Sequence, residues 1–300
     1  MEFKQISFPK SNKHSQNDTH RSQAADRILA NQDVQEFLHL HGLNQQILEG
    51  NYGAFLRFLE LKEGPDNELI PDGYEVGLEL QGGQDVCLVY KKKTWLLEYE
   101  KRDENYVIRD FPIEWLRLNM GDASVAKTDD RGVFFKECLR CLKTHEMPGL
   151  YLYGKSGVGK SYLMALMCNE AAMQQKKIAF VQVRTLFDRL RTYLFEKNNS
   201  QYDSLKNQLC EVDYLVLDNI GGERITEWSK GEALYDLLDT RNRLGKLTFF
   251  TSDYSMDELI QLYGGDTLKN RRLVNHLRNS AKEIELFGIN YRIFVKEGSR

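Results

Sequence analysis

The chain has 300 residues, with 41 Lys and Arg against 44 Asp and Glu and a formal net charge of -3. That length accommodates a domain of about 150 to 200 residues beside a smaller one, and the near balance of charge excludes a chain that binds nucleic acid through bulk positive charge, so any such contact must come from a local patch. Five cysteines, Cys87, Cys138, Cys141, Cys168 and Cys210, are too few and too scattered for a disulfide framework; no run of 18 apolar residues occurs, and the first residues lack the apolar centre of a signal peptide. The expectation is a cytoplasmic protein with no membrane contact.

Residues 1–22 are rich in Ser, Asn, Lys, His and Gln and poor in apolar side chains. Burial cannot offset the entropy of ordering them, so they are expected as a flexible tail. From Ala24 to Leu61 apolar residues recur at spacings of three and four, broken near Gly42, which predicts two or three short helices. After Gly64 and Pro65 the runs YEVGLEL (74–80), DVCLVY (85–90) and TWLLEY (94–99) predict a small antiparallel meander. Together these make a small α+β N-terminal domain over residues 23–124, with the boundary near 125. An amphipathic helix, Val133 to Thr144, opens the second domain, 125–300.

From Gly149 strands and helices alternate: a strand from Leu150 to Tyr153, a helix from Ser161 to Gln174, a strand from Ile178 to Val183 and a helix from Thr185 to Phe195. A helix around Tyr202 to Cys210, a strand from Tyr214 to Leu217, a helix from Lys230 to Arg243 and a strand from Leu247 to Thr251 follow. Such alternation forces parallel pairing with crossover helices, an α/β fold with a central parallel sheet.

The segment LYLYGKSGVGKSYLM places Gly154, Lys155, Ser156, Gly157, Val158, Gly159, Lys160, Ser161 and Tyr162 between a short apolar strand and a helix. Glycines let the backbone curl so that its N–H groups face phosphate oxygens. The positive end of the helix, the Lys160 ammonium and the Ser161 hydroxyl on Mg²⁺ complete the anion cradle of a P-loop that binds ATP. About sixty residues on, EVDYLVLDNIGGE ends an apolar strand in Asp218, where a carboxylate holds Mg²⁺ through its waters. A further strand, LTFFTSD, ends in Ser252 and Asp253, within reach of a γ-phosphate or the attacking water. That placement implies a strand inserted between the P-loop strand and the Asp218 strand.

With these phrases in order, the chain resembles the bacterial replicative helicase loaders of the DnaI and DnaC type, which are AAA+ ATPases. The likeness covers residues 147 to 295 well and the N-terminal part in layout. The family's LMLDDIGAE is here LVLDNIGGE, followed by Trp228-Ser229; its TFFTSN is TFFTSD; and its arginine-rich helix, similar to RIMERIR, lines up with Arg272 to Arg278. The resemblance implies a hexameric replicative DNA helicase and single-stranded DNA as partners, and self-assembly through the AAA+ domains. Arg272 matches the position from which such proteins reach into a neighbour's site, and the sequence does not separate it from Arg271.

Three departures bear on hydrolysis rather than binding: Asn219 replaces the acidic residue that polarises the attacking water, Asp253 the sensor asparagine, and His276 the second arginine of the C-terminal helix. An amide cannot accept a proton, and a lost base costs about 10²- to 10⁴-fold in rate. The expected ATPase is therefore weak or partner-dependent. Two rivals follow, an IstB-like AAA+ helper of transposition and a non-hydrolysing ATP-binding adaptor. Cys138, Cys141 and His145 do not complete a metal set; with Phe134 and Leu142 the cysteines fall on one helical face as core residues, and no zinc site is expected. Arg184, Arg189 and Arg191, interleaved with Phe187, Tyr193 and Phe195, combine the charge and aromatic faces that single strands need with a spacing that also suits a core.

Overall fold

The computed structural model describes residues 18–121, 129–268 and 270–288. Residues 1–17 of the predicted tail lie outside the described residues, and its last residues belong to a helix, because α1 spans Asp18–Ala30. The chain divides into two compact units, Met1–Leu97 and Glu98–Arg300.

In the first unit α1, α2 (Gln32–Leu40) and α3 (Ile47–Glu63) share a core with an antiparallel pair, β1 (Tyr74–Gln81) and β2 (Asp85–Lys92). Phe37, Phe55, Phe58 and Leu59 from the helices meet Val76, Leu78, Val86 and Leu88 from alternate strand positions. Asn31 caps α2 by accepting from the N–H groups of Asp33 and Val34. Asn51, at a kink in α3, donates to the Gln84 carbonyl at 2.8 Å and accepts from the Val86 N–H at 2.7 Å, fastening the helix to the hairpin. The third predicted strand is corrected: TWLLEY lies in α4 (Thr94–Asp103). The adjacent Leu96 and Leu97 break the alternation that a half-buried strand requires, and Glu98 and Arg102, four apart, meet at 3.7 Å on one helical face.

The second unit is built on a sheet of β3 (Tyr106–Arg109), β4 (Gly149–Tyr153), β5 (Ile178–Gln182), β6 (Tyr214–Asp218), β7 (Leu247–Ser252) and β8 (Ala281–Glu285). Its order is β3-β5-β6-β7-β4-β8 with every pairing parallel. As the sequence predicts, β7 lies between the P-loop strand β4 and the Asp218 strand β6. The connecting helices are α5 (Asp129–Thr144), α6 (Lys160–Met173), α7 (Val183–Phe195), α8 (Asn199–Glu211), α9 (Asp236–Arg243), α10 (Met256–Leu262) and α11 (Arg271–Ser280). The helix predicted over Lys230 to Arg243 is a π-helical segment, Ser229–Tyr235, running into α9. Tyr151, Val181, Leu215, Leu217 and Phe250 enter one core, and Leu150, Leu152, Phe180, Val216 and Phe249 the other, so the sheet is covered on both faces.

The unit begins at Glu98 rather than near 125 because residues 102–118 are bonded into it. Strand β3 extends the parallel sheet, Arg102 is 3% exposed and donates to the carbonyls of Leu116 and Leu118, and Asn169 of α6 donates to those of Trp115 and Leu118. Arg241, fully buried, donates to the carbonyls of Leu209, Cys210, Val212 and Leu247 and to Thr248 Oγ1, tying the end of α8 to the start of β7. Cys138 and Cys141 are core residues; burial pushes the Cys141 thiol up to about 11. Among the described residues no helix is long and apolar enough to cross a membrane.

Candidate nucleotide site

The loop between β4 and α6 takes its shape from glycines. Gly154 has φ 144°, and a Cβ there would stand 2.2 Å from the Leu286 carbonyl, so both the dihedral and the space demand glycine. Gly159, at φ 98°, sets the first residue of α6, whose N-terminal N–H groups and dipole face the loop. Arg131 supports the loop from beneath by donating to the Val158 carbonyl.

Lys160 is 8% exposed and folded back into this loop. Its Nζ donates to the carbonyls of Gly154 (2.6 Å) and Lys155 (3.1 Å) and to Asp253 Oδ1 (2.8 Å). Asp253 follows the end of β7 and is half-exposed. The ammonium thus sits among oxygens in the place where a P-loop holds phosphate, with Asp253 as its counter-charge.

Beside the loop, Asp218 ends β6 and is 6% exposed. Its Oδ1 accepts from Ser161 Oγ at 2.7 Å and from Thr251 Oγ1 at 2.6 Å. Thr251 Oγ1 in turn accepts the Asn219 N–H at 2.8 Å. One hydroxyl therefore orients the carboxylate and the backbone after it, a role the sequence did not single out because it depends on β6 and β7 being neighbours. A hydroxyl and a carboxylate oxygen in contact form the hard-oxygen pair that suits Mg²⁺.

Asn219 takes the left-handed conformation at φ 60°, which asparagine and aspartate tolerate better than other non-glycine residues. Its amide lies over the following turn, where a Cβ on Gly222 would come within 2.5 Å of Asn219 Nδ2. The sheet therefore brings Lys160, Ser161, Asp218, Asn219 and Asp253 to its carboxyl edge. Arg271 and Arg272 are exposed at the start of α11, with Arg271 Nε 3.8 Å from Asp266. His276 is turned inward, its ring within 3.1 Å of Asn242 Nδ2 and 3.4 Å of Asp239 Oδ1.

A parallel sheet in this order, with a glycine loop and lysine after one strand and a buried aspartate after another, defines a P-loop nucleotide-binding protein with the AAA+ fold. The family of IstB-like ATP binding proteins matches residues 127–298, and this chain belongs to it. The chain is also 27% identical to the replicative helicase loader DnaI of Bacillus subtilis (strain 168), over 90% of its own length and 92% of that protein's. It is 28% identical to the replicative helicase loader DnaC of Escherichia coli (strain K12) over 41% of this chain and 50% of that one. A crystal structure of DnaI superimposes with a TM-score of 0.55 at 27% identity, covering 63% of this chain and 98% of that one.

Proposed function

We propose that this protein is an ATP-dependent loader that places a hexameric replicative DNA helicase on single-stranded DNA in the cytoplasm. The observation that carries the reading is the reach of the DnaI likeness, which runs over 90% of the chain and so through both compact units. The IstB-like match is confined to residues 127–298, inside the nucleotide unit. A transposition helper accounts for the second unit alone; a loader accounts for both. The test is to mix the full-length chain with the replicative helicase and circular single-stranded DNA. A loader transfers the ring to the circle in an ATP-dependent manner, and a chain that ignores the helicase but binds a transposase sinks the reading.

In this reading the N–H groups from Lys155 to Gly159 and the first turn of α6, through Ser161 and Tyr162, receive the phosphates. Lys160 exchanges the Gly154 and Lys155 carbonyls and Asp253 for the β- and γ-phosphates. Ser161 and Asp218, already in contact at 2.7 Å, would hold a Mg²⁺, which would supply neutralisation of phosphate charge. Asp253 adds negative charge where a sensor asparagine would donate, and Asn219 offers no base, so hydrolysis by the isolated chain is slow and ATP serves as an assembly switch. Asn219→Asp, which fits the same left-handed backbone, is expected to raise basal turnover about 10- to 100-fold with ATP affinity unchanged, measured as phosphate release. Fast wild-type turnover would show that the base lies elsewhere.

Helix α7 gives this reading its DNA-facing surface. Phe187 is core, at 4% exposure, and Arg191 lies over the Trp228 ring at 5.7 Å from its centroid, but Phe195 is 89% exposed on the helix that also exposes Arg184 and Arg189. An exposed ring one helical turn past Arg191, on a helix that also exposes Arg184 and Arg189, offers bases a face to stack on within a positively charged surface. Phe195→Ala is expected to weaken single-strand binding about fivefold or more, at about 1 kcal/mol per lost stack, and to spare ATP binding. Equal DNA affinity in an anisotropy titration would place the strand on another surface.

A further inference from the structure

Glu223 closes the LVLDNIGGE segment and Tyr263 follows α10; both lie outside the phosphate cradle, and both are buried and bonded to each other. Glu223, 8% exposed, accepts the Gly221 N–H on Oε2 at 2.7 Å and the Tyr263 hydroxyl on Oε1. Tyr263 is 3% exposed, and burial together with the neighbouring carboxylate pushes its phenol well above the ordinary range, so it stays a donor. Gly221 belongs to the turn that Asn219 opens directly after Asp218, and this turn packs on α10, since a Cβ on Gly221 would meet Leu259 Cδ1 at 2.9 Å.

The contacts continue from Tyr263 toward α11. Its carbonyl accepts Lys230 Nζ at 3.0 Å and Asn270 Nδ2 at 3.1 Å. Asn270, 9% exposed, also reaches the Gly265 carbonyl, and its own carbonyl receives the Val274 N–H in the first turn of α11. Asn270 immediately precedes Arg271 and Arg272. A bonded path thus joins the turn beside the nucleotide site to the exposed arginines at the start of α11.

We infer that Glu223 and Tyr263 are positioning residues that make the placement of Arg272 depend on what occupies the chain's own nucleotide site. The inference rests on the loader reading with Arg272 acting in a neighbouring copy. When the turn after Asp218 shifts to accommodate a γ-phosphate, Glu223 shifts with Gly221, and Tyr263 carries the displacement to Asn270 and the start of α11. A chain holding ATP then presents its arginine to the neighbour differently from one holding ADP.

The test is a double-mutant cycle on the full-length chain with helicase and single-stranded DNA, reading stimulated ATP hydrolysis, its kcat and KM separately, and ATP affinity in the dilute chain. Tyr263→Phe removes one hydroxyl and keeps the ring, and Glu223→Gln cuts the same link from the other side. Each is expected to lower stimulated kcat about 5- to 30-fold, with KM and dilute-chain affinity within about twofold of wild type. Arg272→Ala added to either should cost far less than it does alone. Multiplicative losses, or unchanged stimulated kcat in both single variants, overturn the link. If Arg272→Ala alone leaves stimulation intact, the trans-arginine reading itself falls and takes the link with it, an outcome recognisable without the other variants.

Discussion

Replacing Lys160 by alanine is expected to lower ATP affinity at least about 100-fold, or about 2.8 kcal/mol at 1.4 kcal/mol per decade. The side chain is 8% exposed and its ammonium is surrounded by the Gly154 and Lys155 carbonyls and Asp253, oxygens gathered around one cation. Alanine leaves the loop backbone facing the phosphates but removes the charge that offsets them, and it leaves Asp253 without its counter-charge beside the γ-position. The fold should persist, because the packing of α6 rests on Leu163, Met164, Leu166 and Met167 rather than on the lysine. Equilibrium titration with a fluorescent ATP analogue, paired with a thermal melt, checks both halves. Undiminished affinity in a folded variant would displace the site from this loop.

Arg272→Ala is expected to leave ATP binding by the dilute chain unchanged and to cut partner-stimulated hydrolysis about 10³-fold, the lower end of what a trans arginine contributes. The geometry is the reason. Arg272 is exposed on α11, whereas Lys160, Ser161, Asp218 and Asp253 gather around the P-loop. A guanidinium that completes another copy's site contributes nothing to its own. Arg271 lies beside Asp266, so Arg271→Ala is expected to have the smaller effect. Weakened ATP binding by the dilute Arg272→Ala chain would mean that the arginine acts in cis.

The phosphate loop was legible because its chemistry is local: glycines, lysine and serine act within a few residues of one another, and the flanking strand and helix confirm them. Asp218 was legible for the same reason, as the end of an apolar strand. Thr251, Glu223 and Tyr263 were not, because each acquires its role from a partner that only the sheet order or the seating of α10 brings near. The edge strands were hidden by composition. AKEIE at β8 buries only Ala281 and Ile284, since an edge strand has one neighbour and little core to face, and YVIR at β3 is too short to stand out from the irregular stretch around it. TWLLEY misled because aromatic and branched residues suit a strand, while the Glu98–Arg102 spacing that marks a helix lies partly beyond the run.

Strand β8 forms one edge of the sheet, and β4 is its strand neighbour, paired from Gly149–Ala281 to Tyr153–Glu285. Just past that pairing Leu286 donates to the Tyr153 carbonyl at 2.7 Å, while its own carbonyl presses against Gly154. The residue that opens the phosphate loop is therefore held from outside by the segment that follows α11, the helix carrying the arginines. Anchoring of the phosphate loop is thus shared between β4 and the edge strand β8, and a bulkier residue at 154 would collide with the Leu286 carbonyl whatever the loop holds.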